Sequence, residues 1–296
     1  AVVILDAEGE KAFCAGGDIQ QLYDTGRAGD FAYGQRFWRD EYRLNALLAR
    51  YAKPIVSFMQ GFVMGGGVGI GCHVGTRVVG ESTQIAMPEC GIGLVPDVGG
   101  SLLLTRAPGR MGAYLGLTAA RMTAGDAIAI GFADHFIPEA HWPALIEDLS
   151  KAGDISVLQD AVEASEAPIL DHQEEVNRLF SGSLGEIEAA LDTAPGDFAA
   201  GALKAIRRNS PLAMAATLEM LDRLKGESDI REALRLEYRF TARAMEHADF
   251  LEGIRAQIID RDRNPQWHHG LRAVPASAVA AMTAPLGADE LTFGEE

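Results

Sequence analysis

The chain has 296 residues, and 48% of them are hydrophobic, which is enough for one large domain or for a core domain with a smaller partner. Its 26 Lys and Arg residues against 42 Asp and Glu residues give a formal net charge of −16, which disfavours nucleic acid and anionic membranes as partners. Three cysteines without a CxxC pair predict neither a disulfide framework nor a metal site.

Short apolar runs rich in β-branched residues predict strands in the first half of the chain. They lie at Val2 to Leu5, Pro54 to Met59 and Arg77 to Val79, each bounded by Gly, Asp or Pro. Between them, residues 36–51 place apolar side chains at helical spacing, and the glycine turn at residues 64–67 opens a second helix. Strands that alternate with helices predict an α/β domain.

After about residue 145 the strand pattern stops, and the remaining chain predicts helices joined by short polar links. Ser210 and Pro211 predict the start of one helix, because serine can cap free N–H groups and proline fits the first helical position. The predicted division is therefore a core over residues 1–145 and a helical region over residues 146–296.

The sequence has no run of about 18 apolar residues and no signal-peptide pattern. We therefore expect a soluble protein of the cytoplasm, or of the mitochondrial matrix if the source is eukaryotic. Residue 1 falls directly on a buried-strand pattern, so we also expect that an N-terminal unit of the core is missing.

Three glycine-rich segments are the strongest candidates for a ligand site. They are AFCAGGD at residues 12–18, MGGG at residues 64–67, and GIGLVPDVGG at residues 91–100. Glycine allows a backbone to approach a ligand closely, although a glycine cluster taken alone is more often only a turn. None of the segments matches GxGxxG or the P-loop, and the chain has no GxSxG or HExxH motif.

The order and spacing of AFCAGGDI, MGGG and AMPECGIGLVPDVGG resemble the enoyl-coenzyme A hydratase/isomerase (crotonase) superfamily. The resemblance implies a crotonase-like α/β fold of spiral β-β-α repeats with a helical C-terminal region, and an acyl-coenzyme A as ligand. It also implies that the backbone amides of Gly17 and Gly66 form an oxyanion hole for the thioester carbonyl. A helix that starts at Gly66 fits this role, because its free N–H groups and dipole favour developing negative charge.

The positions of the acidic residues distinguish between the reactions that members of the superfamily catalyse. Its typical hydratases carry a Glu three residues after the middle glycine and a second Glu further on, whereas this chain has Gly69 and Glu89. Loss of one of two acid/base groups disfavours simple hydration. The segment MPECGIGLVPDVGG instead resembles the branch that hydrolyses 3-hydroxyisobutyryl-coenzyme A in valine breakdown, and the resemblance extends to about Trp267.

The resemblance to that branch implies a role for each acidic residue. Glu89 would be the nucleophile or the base that activates water, Asp97 would support proton transfer, and Glu41 would hold the substrate hydroxyl. Glu41, Gly66, Glu89 and Asp97 are thus the predicted substrate-binding residues. If Glu89 and Asp97 face one pocket, their repulsion should keep one protonated and the other ionised. No cofactor is expected, because coenzyme A is part of the substrate.

Several alternatives remain open from the sequence. Glu89 and Asp97 could simply start or cap helices, and Glu41 could be an exposed charge. Arg106 and Arg110 are candidates for contacts with coenzyme A phosphates, although exposed arginines are common. The runner-up functions are an enoyl-coenzyme A hydratase or isomerase and a noncatalytic acyl-coenzyme A binding protein. A homo-oligomeric state of the chain is a further open alternative.

Overall fold

A computed structural model describes residues 1–294 of the chain. It contains seven strands within that range, all in parallel pairs. The strands are β1 Val3–Leu5, β2 Ala12–Cys14, β3 Ile55–Met59, β4 Phe62–Met64, β5 Thr76–Val79, β6 Gln84–Ala86 and β7 His135–Phe136. The predicted strands near residues 2–5, 54–59 and 77–79 are confirmed as β1, β3 and β5.

The strands alternate between two sheets as the chain proceeds. One sheet has the order β1-β3-β5-β7 and the other has the order β2-β4-β6. Two strands, one in each sheet, are followed by helical segments, and the same unit then repeats, which is the predicted β-β-α spiral. In the smaller sheet Val63 pairs with Ile85, so successive strands end at the same edge. Residues that follow these strands are thereby brought together.

Fourteen α-helices lie within the described residues. They are α1 Ile19–Arg27, α2 Phe31–Ala49, α3 Gly66–Gly71, α4 Gly100–Arg106, α5 Met111–Thr118, α6 Ala124–Ile130, α7 Trp142–Ala152, α8 Gln173–Leu179, α9 Leu184–Thr193, α10 Asp197–Arg208, α11 Pro211–Arg223, α12 Ile230–His247, α13 Phe250–Ile254 and α14 Ala276–Thr283. The start of α11 is confirmed, because the Ser210 hydroxyl accepts the N–H of Ala213 at 3.2 Å and Pro211 is the first helical residue.

The long helices α2 and α12 pack along each other, and the main core also contains Val63 and Ile85 of the smaller sheet. Tyr42 of α2 and Tyr238 of α12 are both buried, with ring centroids 6.3 Å apart in an edge-on arrangement. A separate apolar cluster around Phe58 and Trp142 joins the larger sheet to α7. The helix α12 of the predicted helical region packs along α2 of the predicted core region. The division at residue 145 stays a prediction.

Within residues 1–294, none of the helices combines the length and the apolar character needed to cross a membrane.

Candidate active site

The smaller sheet brings the three predicted motifs to one edge. Gly17 follows the end of β2 by three residues, Gly66 follows β4 by two, and Glu89 follows β6 by three. Ligands of parallel sheets bind at the carboxyl ends of the strands, where connecting loops can present backbone and side-chain groups. Gly17, Gly66 and Glu89 are therefore distant in the sequence but lie at the same edge of the smaller sheet.

A cavity of about 90 Å³ lies at this edge. It is lined by Ala15, Gly16, Gly17, Ile19, Leu22, Phe37, Trp38, Glu41, Gly65, Gly66, Pro88, Glu89, Ile92, Leu94, Asp97, Val98 and Phe250. All five predicted site residues are in this set, while Phe250 comes from the helical region. A second cavity of about 470 Å³ lies next to it and also borders Gly17, Glu41 and Gly66. The structure therefore places the predicted site residues together, and their chemical roles stay proposals.

Two backbone amides at the cavity are free. In the part of the chain that the structure describes, the N–H groups of Gly17 and Gly66 have no hydrogen-bond partner. Gly66 is the first residue of α3, as predicted. Next to it, a Cβ on Gly67 would lie 2.1 Å from the carbonyl oxygen of Cys14, so only glycine lets α3 approach β2 this closely. Two unpaired N–H groups beside a cavity can hold an oxygen that gains negative charge.

Glu89 is a buried carboxyl group with one unpartnered oxygen. It begins the 3₁₀ helix Glu89–Ile92 and is 4% exposed, and its Oε2 has no hydrogen-bond partner within residues 1–294. Burial, followed by the negative charge of Asp97, raises the pKa of Glu89 well above its usual range. A buried carboxyl in this condition is costly for stability, which is typical of functional sites.

Asp97 is buried as well, but it has a hydrogen-bond donor. The hydroxyl of Tyr42 donates to Oδ2 of Asp97 at 2.6 Å. Burial raises the pKa of Asp97 to about 6, while the bond from Tyr42 limits the rise. The hydrogen bond from Tyr42 favours the ionised form of Asp97, whereas burial and the charge of Asp97 favour the protonated form of Glu89. That the pair divides its charge in this way stays a prediction.

Two further carboxyl groups lie around this pair, the half-buried Glu41 and the fully buried Glu237. Burial, followed by the charge of Asp97, raises the pKa of Glu41 to about 8. Glu237 on α12 is fully buried, and burial raises its pKa to about 8 although it accepts hydrogen bonds from Ser101 and Gly99. Sequence reasoning missed the roles of Tyr42 and Glu237. A signal was present for Glu237, because it lies on the apolar face of α12.

Position 69 has little room for a side chain. A Cβ on Gly69 would lie 2.6 Å from Nδ2 of Asn45 and 2.8 Å from Cβ of Val98. Asn45 and Val98 are both buried. A carboxylate that reaches the cavity from this position would require both neighbours to move.

Arg106 and Arg110, the candidates for contacts with coenzyme A phosphates, do not line the cavity. The guanidinium group of Arg106 donates to the carbonyl of Ser228, and that of Arg110 donates to the carbonyl of Phe180. Cys90 is buried and its pKa is raised to about 12 by burial, which fits a packing residue. Over the described residues, no group of three or more His, Cys, Asp or Glu side chains is arranged to hold a metal ion.

The family comparison agrees with this geometry. The enoyl-CoA hydratase/isomerase family matches residues 1–283. The chain belongs to this family. The crotonase-like fold that the motifs predicted is thereby confirmed. Family members share the scaffold, so the particular reaction depends on the carboxyl groups around the cavity.

Three similar family members carry different names. A protein from Xenopus tropicalis named "3-hydroxyisobutyryl-CoA hydrolase, mitochondrial" is 39% identical over 283 residues, which are 90% of this chain and 72% of that protein. The crystal structure of an enoyl-CoA hydratase from Rhodobacter sphaeroides has a TM-score of 0.96 and 60% identity, and covers 99% of this chain and 86% of its own. The crystal structure of a carnitinyl-CoA dehydratase from Mycobacterium thermoresistibile has a TM-score of 0.93 and 40% identity, and covers 100% and 86%.

Proposed function

We propose that this protein hydrolyses 3-hydroxyisobutyryl-coenzyme A, or a closely related short 3-hydroxyacyl-coenzyme A, to the free acid and coenzyme A. The observation that carries the proposal is the pairing of Glu89 and Asp97 at a cavity with two free amides, while position 69 carries no carboxylate. The hydrolase name of the Xenopus tropicalis relative supports it.

The two amides would act on the thioester carbonyl. The N–H groups of Gly17 and Gly66 would donate to its oxygen, which gains negative charge when the carbonyl carbon is attacked. Donors that are fixed before the reaction cost no reorganisation, and removal of one such donor typically slows a reaction by about 10²–10³. Since both amides lie within three residues of a strand end, the sheet would hold them in place.

The carboxyl pair would supply the attack and the proton. Glu89 would attack the carbonyl carbon either directly, as an anhydride-forming nucleophile, or through a water molecule that it deprotonates. For either route Glu89 must first release its proton, and Asp97 is the adjacent base that can receive it. The carbon–sulfur bond then breaks and the leaving sulfur takes the proton that Asp97 received. On the anhydride route a water molecule then cleaves the anhydride, which gives the free acid and restores the Glu89 carboxyl. Overall, one water molecule gives its oxygen to the acid and one hydrogen to the thiol.

Glu41 would select the acyl group. Its carboxyl lies between the two cavities and keeps a proton over most of the neutral range, because its pKa is about 8. A neutral carboxyl can both donate to and accept from a hydroxyl group. Thioesters with a 3-hydroxyl should therefore bind better than those without one. The proposed chemistry needs no cofactor besides the coenzyme A of the substrate.

Enoyl-coenzyme A hydration is the second candidate, because the Rhodobacter sphaeroides structure with 60% identity bears that name. The absence of a carboxylate at Gly69, and the lack of room for one, argue against it. A homo-oligomeric state and the location in the cell remain predictions.

The test is the release of free thiol from 3-hydroxyisobutyryl-, isobutyryl- and crotonyl-coenzyme A under identical conditions. We expect the hydroxyacyl thioester to have the highest kcat/KM. Glu41→Gln should remove most of its advantage over isobutyryl-coenzyme A, which differs only by the hydroxyl. Equal rates on all three thioesters would contradict the hydroxyacyl assignment, and binding without thiol release would favour the noncatalytic alternative.

A further inference from the structure

The turn that carries Asp97 has an unfavourable backbone. Val98, the next residue, has a φ of 54°, and Gly99 has a φ of 80°. Positive φ is ordinary for glycine but rare for a β-branched residue such as valine. Strained backbone of this kind persists only where the surroundings hold it, and it is concentrated at functional sites. Both Asp97 and Val98 line the cavity, so the strain lies beside the proposed chemistry.

Three side chains from outside the turn hold it in place. The hydroxyl of Tyr42 on α2 donates to Asp97, as described above. Nε2 of His73, just after α3, lies 2.8 Å from the carbonyl oxygen of Val98. The carboxyl of Glu237 on α12 accepts the N–H of Gly99 at 2.8 Å. The turn is thus held from three separate elements.

Among these three side chains, Glu237 accepts the most hydrogen bonds. Besides the N–H of Gly99, it accepts the N–H of Ser101 at 3.1 Å and the hydroxyl of Ser101. Oε2 serves Gly99 and Oε1 serves Ser101, so both oxygens are needed. A glutamine has only one acceptor oxygen, and its NH₂ group would face one of the N–H donors. Packing alone therefore does not explain why a buried carboxyl stands here.

We propose that Glu237 is a positioning residue for the hydrolysis, because its carboxyl holds the strained turn that presents Asp97 to the cavity. This inference rests on the proposed function. Glu237 does not line the cavity, so it acts through the turn and not on the substrate. A purely structural interpretation is that it caps α4, which starts at Gly100. The two interpretations differ in what the loss of Glu237 does to kcat.

The first experiment compares Glu237→Gln with the matched control Glu188→Gln. Glu188 is also a buried Glu on a helix, but it accepts hydrogen bonds from Arg207 and Arg272 away from the cavity. With 3-hydroxyisobutyryl-coenzyme A as substrate, we expect Glu237→Gln to lower kcat by about 10- to 100-fold, as small misplacements of reacting groups do. KM should change less than about threefold, and the control should keep both constants. A folded Glu237→Gln variant with wild-type kcat would overturn the inference.

The second experiment repeats Glu237→Gln in an Asp97→Asn background. If Glu237 acts through Asp97, the double variant should be little slower than Asp97→Asn alone. If the losses of kcat in the two single variants multiply in the double variant, Glu237 acts independently of Asp97. That result would overturn the inference. If Glu237→Gln does not fold, Ser101→Ala replaces it, since it removes one of the three bonds. Ser101→Ala should lower kcat in the wild-type background and should have little further effect in the Asp97→Asn background.

These outcomes are distinct from a failure of the proposed function. Wild-type protein that releases no thiol would refute the hydrolysis itself. Wild-type turnover together with unchanged kcat in Glu237→Gln would refute only the positioning role.

Discussion

Replacement of Glu41 by glutamine should stabilise the protein, and the gain should grow with pH. The pKa of Glu41 rises from an ordinary 4.5 to about 8 in the folded chain, because of burial and the nearby Asp97. Between these two values the folded state keeps a proton that the unfolded state has lost, so Glu41 lowers the free energy of unfolding as the pH rises. Glutamine has the same size and no charge, so it removes this penalty.

The magnitude follows from the pKa difference. Each pH unit within the window from 4.5 to about 8 corresponds to about 1.4 kcal/mol, so the penalty before any discount would be roughly 3 kcal/mol at pH 7 and roughly 5 kcal/mol above pH 8. Because Glu41 is only partly buried and shares its charge environment with Asp97, we expect about 2 kcal/mol at pH 8.5. At pH 4.5 and below, the gain should vanish.

Urea unfolding at pH 5 and pH 8.5, followed by circular dichroism, measures this gain. Glu188→Gln is the control with the opposite sign, because hydrogen bonds from Arg207 and Arg272 lower the pKa of Glu188. It should destabilise the protein at neutral pH and have less effect as the pH falls through that lowered pKa. A Glu41→Gln variant whose stability relative to wild type is the same at both pH values would refute the reasoning.

Three further predictions concern the chemistry. Gly66→Pro should lower thiol release by at least about 10²-fold, because proline has no N–H yet fits the first helical position, and a folded variant with full activity would contradict it. Glu89→Gln should remove nearly all hydrolysis, and Asp97→Asn should lower the rate of hydrolysis by about 10²–10⁴-fold. The affinity for the thioester should change little in both variants. Normal turnover by Glu89→Gln would exclude the mechanism. Tyr42→Phe should raise the pKa of Asp97 above about 6 and move the acidic limb of the pH–rate profile to higher pH, whereas an unmoved limb would separate Tyr42 from Asp97.

The sequence predicted the parts of the site that depend on local order along the chain. The strands β1, β3 and β5 lie in apolar runs rich in β-branched residues and could be recognised, and the glycine-rich segments follow strands in a fixed order. The strands β2, β4 and β6 have three residues each and lie within or beside the glycine-rich motifs, where no apolar run marks them as strands. The sequence did not predict these three strands, although the motifs beside them predicted the residues that lie together at the edge of the smaller sheet.

The contacts that tune the carboxyl groups could not be predicted in the same way. Tyr42 and Asp97 are 55 residues apart, and Glu237 and Gly99 are 138 residues apart, so their hydrogen bonds exist only in the folded chain. The positive φ of Val98 also has no sequence signal, since valine normally avoids it. Only the position of Glu237 among apolar neighbours on α12 pointed to a buried charge.

The central claim is tested most directly by following free thiol and conjugated enoyl thioester in one sample of 3-hydroxyisobutyryl-coenzyme A. Wild-type protein should release one thiol for each thioester consumed, without any rise in enoyl absorbance, and Glu89→Gln should release almost none. Formation of an enoyl thioester with its coenzyme A still attached would contradict the account and assign the protein to hydration and dehydration instead.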